Sequence, residues 1–229
     1  MSSSAFNGVL LIDKPAGISS FGVVARVRRV LSEQAGKKIK VGHTGTLDPF
    51  ASGLMIIVVG DWCKRAGEFS KLDKTYEATA RLGQSSSTGD PEGELSDVSK
   101  RVPTRGELEA ALQAFRGAIT QKPPIYSAIK INGQRAYNLA RRGEAVDIPA
   151  RSVTIYQLEL LEYAYPNFKI RAHVSSGTYI RTLVADIGQQ MGVGAYCQAL
   201  RRTSVGSLII QDSLPLDSFM AKPILPNDV

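Results

Sequence analysis

Asp48 is the strongest candidate for chemistry in this sequence, because the residues around it are unsuited to a regular helix or an interior strand. The segment Val41–Gly53, VGHTGTLDPFASG, contains three glycines, one histidine and one Asp-Pro pair. Glycine allows close backbone approach, and Pro49 disfavours the α conformation at Asp48. The sequence therefore predicts a polar loop that presents one carboxylate, a group that can act as a nucleophile or a base. The alternative from these residues alone is that Asp48 stabilises a turn before Pro49.

A second candidate is Arg181, in the segment SSGTYIR where a strand is predicted to give way to an amphipathic helix. The apolar periodicity predicts a helix that is capped by Ser176 or Thr178 and ended by Gly192. A cation in the first turn opposes the helix dipole, at a cost of about 0.3–1 kcal/mol. A carboxylate or phosphate beside Arg181 would explain its position. The alternative from this segment is a side chain that reaches solvent.

Hydrophobic patterns predict the elements that must hold these candidates. Leu54–Gly60 is an apolar run typical of a buried strand, and Lys74–Leu82 alternates as in a half-buried strand. Thr104 and Glu107 have the spacing of a capping box. The other predicted elements are a strand over Gly8–Asp13, a helix from Ser19 or Ser20 to about Leu31, a short helix over Asp61–Ser70, a polar loop over Gln84–Glu94, a hairpin of Val153–Tyr163 with Phe168–Val174, and a last strand over Ser204–Ile210. This pattern predicts an α+β fold with a mixed, largely antiparallel sheet flanked by helices.

Charge is the most informative feature of the composition. The 229 residues carry 28 Lys and Arg against 21 Asp and Glu, for a net charge of +7. A solvated surface explains any single basic pair, but several separate clusters favour a nucleic acid as partner. The clusters are Arg26–Arg29, Lys37–Lys40, Lys64-Arg65, Arg141-Arg142 and Arg201-Arg202.

The remaining composition predicts one ordinary globular domain over residues 1–229. Cys63 and Cys197 show neither metal-site spacing nor a disulfide framework, which favours a reducing compartment. The first residues lack the pattern of a signal peptide, and the longest apolar run is too short to span a bilayer. We therefore expect a cytoplasmic protein with no membrane partner.

Five segments, in this order, resemble the TruB family of tRNA pseudouridine synthases: GVLLIDKPAGISS, VGHTGTLDPFASG, KTYEATARLGQ, SSGTYIRTLVADIG and LRRTSVG. The resemblance runs from about Gly8 to Gly206, and GHTGTLDP and GTYIR are its most specific parts. It implies that the chain isomerises the T-loop uridine of tRNA, U55 in standard tRNA numbering, to pseudouridine. It also implies the family's mixed-sheet catalytic fold, a T-arm stem-loop as substrate, and a reaction without metal or organic cofactor.

The resemblance further implies roles for individual residues. Asp48 corresponds to the catalytic aspartate, Arg181 to its partner arginine, and Tyr76 to the tyrosine that packs on the flipped base. The strand alternation by itself makes Tyr76 equally suited to a core position. The substrate-binding residues that the resemblance implies are His43, which would stack in the T-loop, and Tyr179 and Leu200, which would line the uridine pocket; Lys14-Pro15 corresponds to a framework turn near the site.

The resemblance also bears on domain organisation. Lys122–Pro149 resembles the family's mobile thumb, which closes on RNA. Bacterial members usually continue into a small C-terminal RNA-binding domain, and we expect that domain to be absent or truncated here. Nothing in the sequence demands a dimer, so we expect a monomer.

Two other functions are open to the same scaffold. One is a non-catalytic RNA-binding protein or tRNA-folding chaperone, and the other is a synthase that acts on a different RNA. Binding alone would not require Asp48, which favours an enzyme. His43, whose implied role is specific to the T-loop, favours tRNA.

Overall fold

The computed structural model describes residues 6–127, 130–131, 134–135, 142 and 148–219. The chain divides into two compact units, the first formed by Met1–Lys74 with Arg201–Val229 and the second by Thr75–Leu200. Much of the predicted thumb, residues 128–129, 132–133, 136–141 and 143–147, lies outside the described residues. The thumb and the single-domain organisation therefore stay predictions.

The first unit is a sheet built around strand β3. This strand pairs antiparallel with β1 on one side, and on the other side with β2, antiparallel, and with the end of β12, parallel. β14 extends the sheet beyond β1, and β13 pairs with the end of β12. The strands are β1 (Gly8–Lys14), β2 (Val41–His43), β3 (Ser52–Val59), β12 (Ala195–Val205), β13 (Leu208–Ile209) and β14 (Leu214–Pro215).

Strand β3 is buried on both faces, which explains its continuous apolar sequence. Helix α1 (Ser20–Ala35) covers one face, and its first turn is capped by Ser19, whose side chain accepts the Gly22 N–H at 3.0 Å. The 3-10 turn Gly60–Arg65 and helix α2 (Ala66–Ser70) follow β3, and Phe69 packs against the other face. The unit therefore has a hydrophobic layer on each side of its central strand.

The second unit holds a sheet in the order β12, β4, β11, β10, β7. β10 pairs antiparallel with β11 and with β7. Strands β5 and β6 form a separate two-stranded antiparallel sheet, and so do β8 and β9. The strands are β4 (Lys74–Leu82), β5 (Gln84–Ser86), β6 (Leu95–Asp97), β7 (Gly117–Gln121), β8 (Lys130–Ile131), β9 (Gln134–Arg135), β10 (Arg151–Ala164) and β11 (Asn167–Val174).

Two helices bury apolar faces in the second unit, α3 (Arg105–Ala114) and α4 (Ile180–Gln190). The predicted capping box starts α3: Thr104 Oγ1 accepts the Glu107 N–H at 3.2 Å, and the Glu107 carboxylate accepts the Thr104 N–H at 2.6 Å. Helix α4 ends just before Gly192, which takes a left-handed conformation with φ +68°.

The predicted α+β fold and most predicted elements are confirmed. Strand β4 has the predicted bounds, and the predicted hairpin is formed by β10 and β11, which are slightly longer than expected. The prediction of one last strand over Ser204–Ile210 was wrong. This range contains the end of β12, which begins at Ala195 and ends at Val205, and the separate short strand β13. The buried side chains of β12 do not alternate, and one of them is Arg202, so its hydrophobic pattern is weak. The cap of α4 was also wrong, because Tyr179 holds that position and the Thr178 hydroxyl donates to the Ser175 carbonyl at 2.9 Å.

Within the described part of the chain, no helix has both the length and the hydrophobicity needed to cross a membrane.

Candidate active site

Asp48 lies on the irregular loop between β2 and β3, as predicted, and is partly exposed. The residue before it, Leu47, is buried and is held by the hydroxyl group of Ser20 at the start of α1. Ser20 Oγ accepts the Leu47 N–H and donates to the Leu47 carbonyl, both at 2.8 Å. The loop is therefore fixed one residue before the carboxylate.

The residue after the carboxylate, Pro49, is fixed as well. Its carbonyl accepts the Gly17 N–H at 2.8 Å and Lys14 Nζ at 3.3 Å. Lys14 is fully buried, and its Nζ also donates to the Ile18 carbonyl at 2.7 Å. The turn that follows β1 thus supports the loop directly, and Asp48 is held between two fixed neighbours.

His43 is the last residue of β2, opposite Ile57 of β3, and is partly exposed. The next residue continues the attachment to the sheet, because the Thr44 N–H donates to the Ile56 carbonyl at 3.2 Å. The first unit therefore brings His43 and Asp48 onto one loop, with His43 at its base.

Arg181, in the first turn of α4, is buried in the second unit with 3% of its surface exposed. Its Nη1 contacts Asp90 Oδ2 at 3.0 Å and donates to the Thr88 carbonyl at 2.7 Å, and its Nη2 donates to the Tyr126 carbonyl at 2.8 Å. The possibility that Arg181 reaches solvent is excluded. A carboxylate explains its position in the helix, as the sequence suggested, and the described partner is Asp90.

Asp90 was missed by the sequence interpretation, which assigned Gln84–Glu94 as a polar loop. The residue is 4% exposed, and Oδ1 accepts the Thr88 hydroxyl at 2.6 Å and the Glu92 N–H at 3.0 Å. Both carboxylate oxygens are thus used, one by its own loop and one by Arg181. No local pattern marks Asp90, because its partner lies 91 positions further along the chain.

A buried amide holds the turn that precedes Arg181. Gln121, at the end of β7, is 1% exposed; its Oε1 accepts the Tyr179 N–H at 2.7 Å and its Nε2 donates to the Tyr179 carbonyl at 3.1 Å. The Arg151 guanidinium lies 5.2 Å from the centroid of the Tyr179 ring and donates to the Gly177 carbonyl. Gln121 and Arg151 were also missed, and both position Tyr179.

The two remaining predicted residues lie on strands of the second unit. Tyr76 faces inward on β4, with 8% of its surface exposed, and Leu200 on β12 is equally buried. The second unit therefore contains Tyr76, Tyr179, Arg181 and Leu200, whereas the first contains His43 and Asp48. The roles of these residues and the pairing of Asp48 with Arg181 stay predictions.

The basic clusters divide into exposed and buried side chains. Arg26, Arg29, Lys37, Lys38 and Lys40 are exposed in the first unit. Arg26 pairs with Asp217 at 2.7 Å, an exposed contact of the kind that contributes little to stability. Arg202 is 2% exposed, so this member of the predicted Arg201-Arg202 cluster cannot contact a phosphate.

Comparison with known families defines the class of protein. The model of the N-terminal domain of TruB family pseudouridylate synthases matches residues 28–180, and the model of the tRNA pseudouridylate synthase B C-terminal domain matches residues 181–224. The class is therefore pseudouridylate synthase, and the chain belongs to the TruB family.

Curated relatives support the same assignment. This chain is 46% identical over 212 residues to tRNA pseudouridine synthase B of Burkholderia lata, a match that covers 93% of this chain and 64% of that protein. Its identity to the proteins of the same name from Cupriavidus pinatubonensis and Burkholderia mallei is 44% and 43%, with 68% and 72% of those proteins covered. The chain thus spans about two thirds of the length of these relatives.

Solved structures agree with the fold. The crystal structure of a Cbf5-Nop10-Gar1 complex contains a chain with a TM-score of 0.70 and 28% identity, a match that covers 93% of this chain and 53% of that one. The archaeal box H/ACA sRNP Nop10-Cbf5 complex gives a TM-score of 0.67 and 27% identity, with 93% and 52% covered. This chain therefore corresponds to about half of each of those chains.

Proposed function

We propose that this chain isomerises U55 in the T-loop of tRNA to pseudouridine, with Asp48 as the essential catalytic residue. Membership of the TruB family carries the proposal, since the curated relatives are tRNA pseudouridine synthases. The geometry around Asp48 supports it, because a partly exposed carboxylate is held between two fixed neighbours on a loop. Such preorganisation is what a group that reacts with a bound substrate requires.

The reaction breaks the N-glycosidic bond, turns the uracil and forms a carbon–carbon bond to the same ribose. No net oxidation occurs, and the proton lost from the uracil carbon is balanced by one gained at nitrogen. Asp48 attacks as a nucleophile or removes a proton from the ribose. Attack on the sugar, attack on the base and a glycal route are all compatible with one carboxylate.

The target uridine must leave its stack before it reaches Asp48, at a cost of a few kcal/mol. Tyr76 packs on the flipped base and returns roughly 1–3 kcal/mol of that cost, the usual range for stacking of a base on an aromatic ring. Tyr179 and Leu200 line the uridine pocket, and His43 occupies the space that the base leaves in the T-loop. Arg181 keeps a positive charge in the pocket, and Asp90 fixes its orientation.

The exposed basic residues of the first unit bind the phosphates of the T-arm. Binding of tRNA is therefore expected to weaken steeply as salt rises from 50 to about 200 mM. An affinity that is insensitive to salt would remove these residues from the interface. The monomeric state belongs to the same proposal, and light scattering of the free chain tests it. A cytoplasmic location is proposed too, and it agrees with a sequence that contains only two cysteines.

Pseudouridine mapping on a T-arm stem-loop incubated with the chain tests the proposed function. We expect one new pseudouridine at U55, and none in an otherwise identical stem-loop with cytidine at that position. Binding of the stem-loop without any pseudouridine would overturn the proposal and favour an RNA-binding or chaperone role. Modification of another uridine would favour a different RNA substrate.

A further inference from the structure

Arg202 is among the largest fully buried side chains of the molecule, with 2% of its surface exposed. Among the described residues, its hydrogen-bond acceptors are three main-chain carbonyls. Nε donates to Leu54 at 2.7 Å, Nη2 to Gly45 at 3.1 Å, and Nη1 to Thr46 at a longer 3.5 Å. One guanidinium group thus connects strand β3 to the loop that carries Asp48.

Burial of a guanidinium group is unfavourable unless its hydrogen bonds are satisfied, so its position requires an explanation. The preceding residue, Arg201, is partly exposed and forms a bidentate pair with Asp13 at 2.7 and 3.1 Å. The two arginines therefore differ in environment although they are adjacent in sequence. A planar group with several fixed donors is well suited to bond carbonyls on two segments at once.

Gly45 in the Asp48 loop and Gly53 in β3 both lie close to Arg202. A Cβ atom at Gly53 would lie 2.3 Å from the Arg202 carbonyl oxygen and 2.6 Å from the Arg202 nitrogen, and these residues are paired in the parallel register of β3 and β12. A Cβ atom at Gly45 would lie 3.4 Å from Arg202 Nη1. Gly53 therefore permits the close approach of the β12 backbone, and a side chain at Gly45 would contact the Arg202 guanidinium group.

These contacts hold the loop on the N-terminal side of the carboxylate. Thr46 is two residues before Asp48, and on the other side Pro49 is held by Gly17 and Lys14. A shift of the loop at Gly45 and Thr46 would move Asp48. Displacement of a reacting group by about 1 Å is enough to cost on the order of 10²-fold in rate.

We propose that Arg202 is a positioning residue for pseudouridine formation, and that its guanidinium group holds Gly45 and Thr46 so that Asp48 is preorganised. This inference rests on the proposed function. It assigns to Arg202 no contact with RNA and no part in the chemistry itself. It makes the second arginine of LRRTSVG a determinant of turnover.

The first experiment compares Arg202→Lys with the unchanged chain under single-turnover conditions on the T-arm stem-loop. Lysine keeps the charge but cannot reproduce the planar set of donors. We expect the rate to fall on the order of 10²-fold, with an affinity for the stem-loop within about twofold of the original and a cooperative thermal unfolding transition retained. An unchanged rate would overturn the inference, and so would a rate that saturating RNA or a correction for the folded fraction restores.

A second variant keeps Arg202 in place and disturbs the same contact from the other side. Gly45→Ala introduces a methyl group against Arg202 Nη1 at a position without positive φ, so folding should be preserved. We expect slower turnover with unchanged RNA affinity. Because both substitutions act through one contact, the double variant should be less impaired than the product of the two single effects predicts. If the rate losses of the two single variants simply multiply in the double variant, the contact between Arg202 and Gly45 does not affect the position of Asp48.

Arg116→Lys is the matched control. Arg116 also donates to a main-chain carbonyl, that of Leu158 at 2.7 and 3.2 Å, but it is exposed and follows the end of α3, in the second unit. Its substitution should leave turnover unchanged, and an equal loss would mean that any removed arginine–carbonyl contact slows the enzyme. An unchanged chain that forms no pseudouridine would overturn the proposed function instead, so the two failures are distinguishable.

Discussion

The loop of Asp48 and the turn of Arg181 are held by groups of opposite charge. In the first unit, the buried cations Lys14 and Arg202 bind carbonyls of the loop that carries the carboxylate. In the second unit, the buried carboxylate of Asp90 binds the guanidinium of Arg181. Each unit thus places buried groups of the complementary sign next to its candidate site residue.

The difference lies in what the supporting group touches. Lys14 and Arg202 bind main-chain carbonyls on either side of Asp48. Asp90 contacts the Arg181 guanidinium itself and uses its other oxygen to hold its own loop. The backbone around Asp48 is thus held through its carbonyls, whereas Arg181 is held through the donors of its own side chain.

The largest expected effect is on the reaction itself. Asp48→Asn removes the charge and the nucleophile while keeping the size of the side chain, so the rate should fall on the order of 10⁴-fold. Affinity for the stem-loop should be nearly unchanged, because the support at Leu47 and Pro49 does not involve the carboxylate. Single-turnover pseudouridine formation measures this, with the exposed Asp212→Asn as control. Near-normal turnover would exclude Asp48 from the mechanism and remove the basis of the comparison.

The second prediction concerns the carboxylate that holds Arg181. Asp90→Ala leaves that guanidinium buried beside the carbonyls of Thr88 and Tyr126, and should lower the free energy of unfolding by about 3–5 kcal/mol. Glu109, an exposed carboxylate that pairs with Arg105 at 2.8 Å, is the control, and its change to Ala should cost about 0–1 kcal/mol. Urea denaturation measures both. Equal effects would mean that Asp90 is an ordinary surface-type partner and that the two regions are not held differently.

The third prediction concerns Lys74, a buried cation in the first unit. Burial lowers the pKa of Lys74 from 10.5 to about 8, with a further contribution from the charge of Arg202 and opposition from Asp73. Between pH 8 and 10.5 the unfolded chain retains a proton that the folded chain has lost, so Lys74 makes the folded state more stable as pH rises through this window. The total is about 3 kcal/mol. The free energy of unfolding of the unchanged chain minus that of Lys74→Met should therefore rise between pH 8 and 10.5. A difference that stays constant over this range would contradict the prediction.

The smallest predicted effect compares the neutral side chains that hold each region. Ser20→Ala and Gln121→Ala each leave a main-chain N–H and a carbonyl without their side-chain partner, at Leu47 and Tyr179 respectively. Gln121→Ala also removes more buried side-chain volume. Each should cost about 1–3 kcal/mol, with Gln121 the larger. Thermal and urea unfolding measure the costs. A larger cost at Ser20 than at Gln121 would contradict this ranking.

The sequence predicted the parts of this fold whose causes are local. The alternation of Lys74–Leu82, the capping box at Thr104 and the cap at Ser19 are signals between residues a few positions apart. The polar loop around Asp48 belongs to the same group, because glycines and Asp-Pro restrict their own backbone. β12 was misjudged because its buried positions include a charged side chain.

By itself, the sequence determined the family, most of the elements and the loop on which Asp48 is presented. The tertiary structure decided which charged residues are interior: Arg202 and not Arg201, and Asp90 within a loop of polar appearance. Arg202 meets Gly45 across 157 positions, and Arg181 meets Asp90 across 91. Burial of a charge becomes favourable only when distant segments supply its hydrogen-bond partners, and no local pattern records where those segments meet.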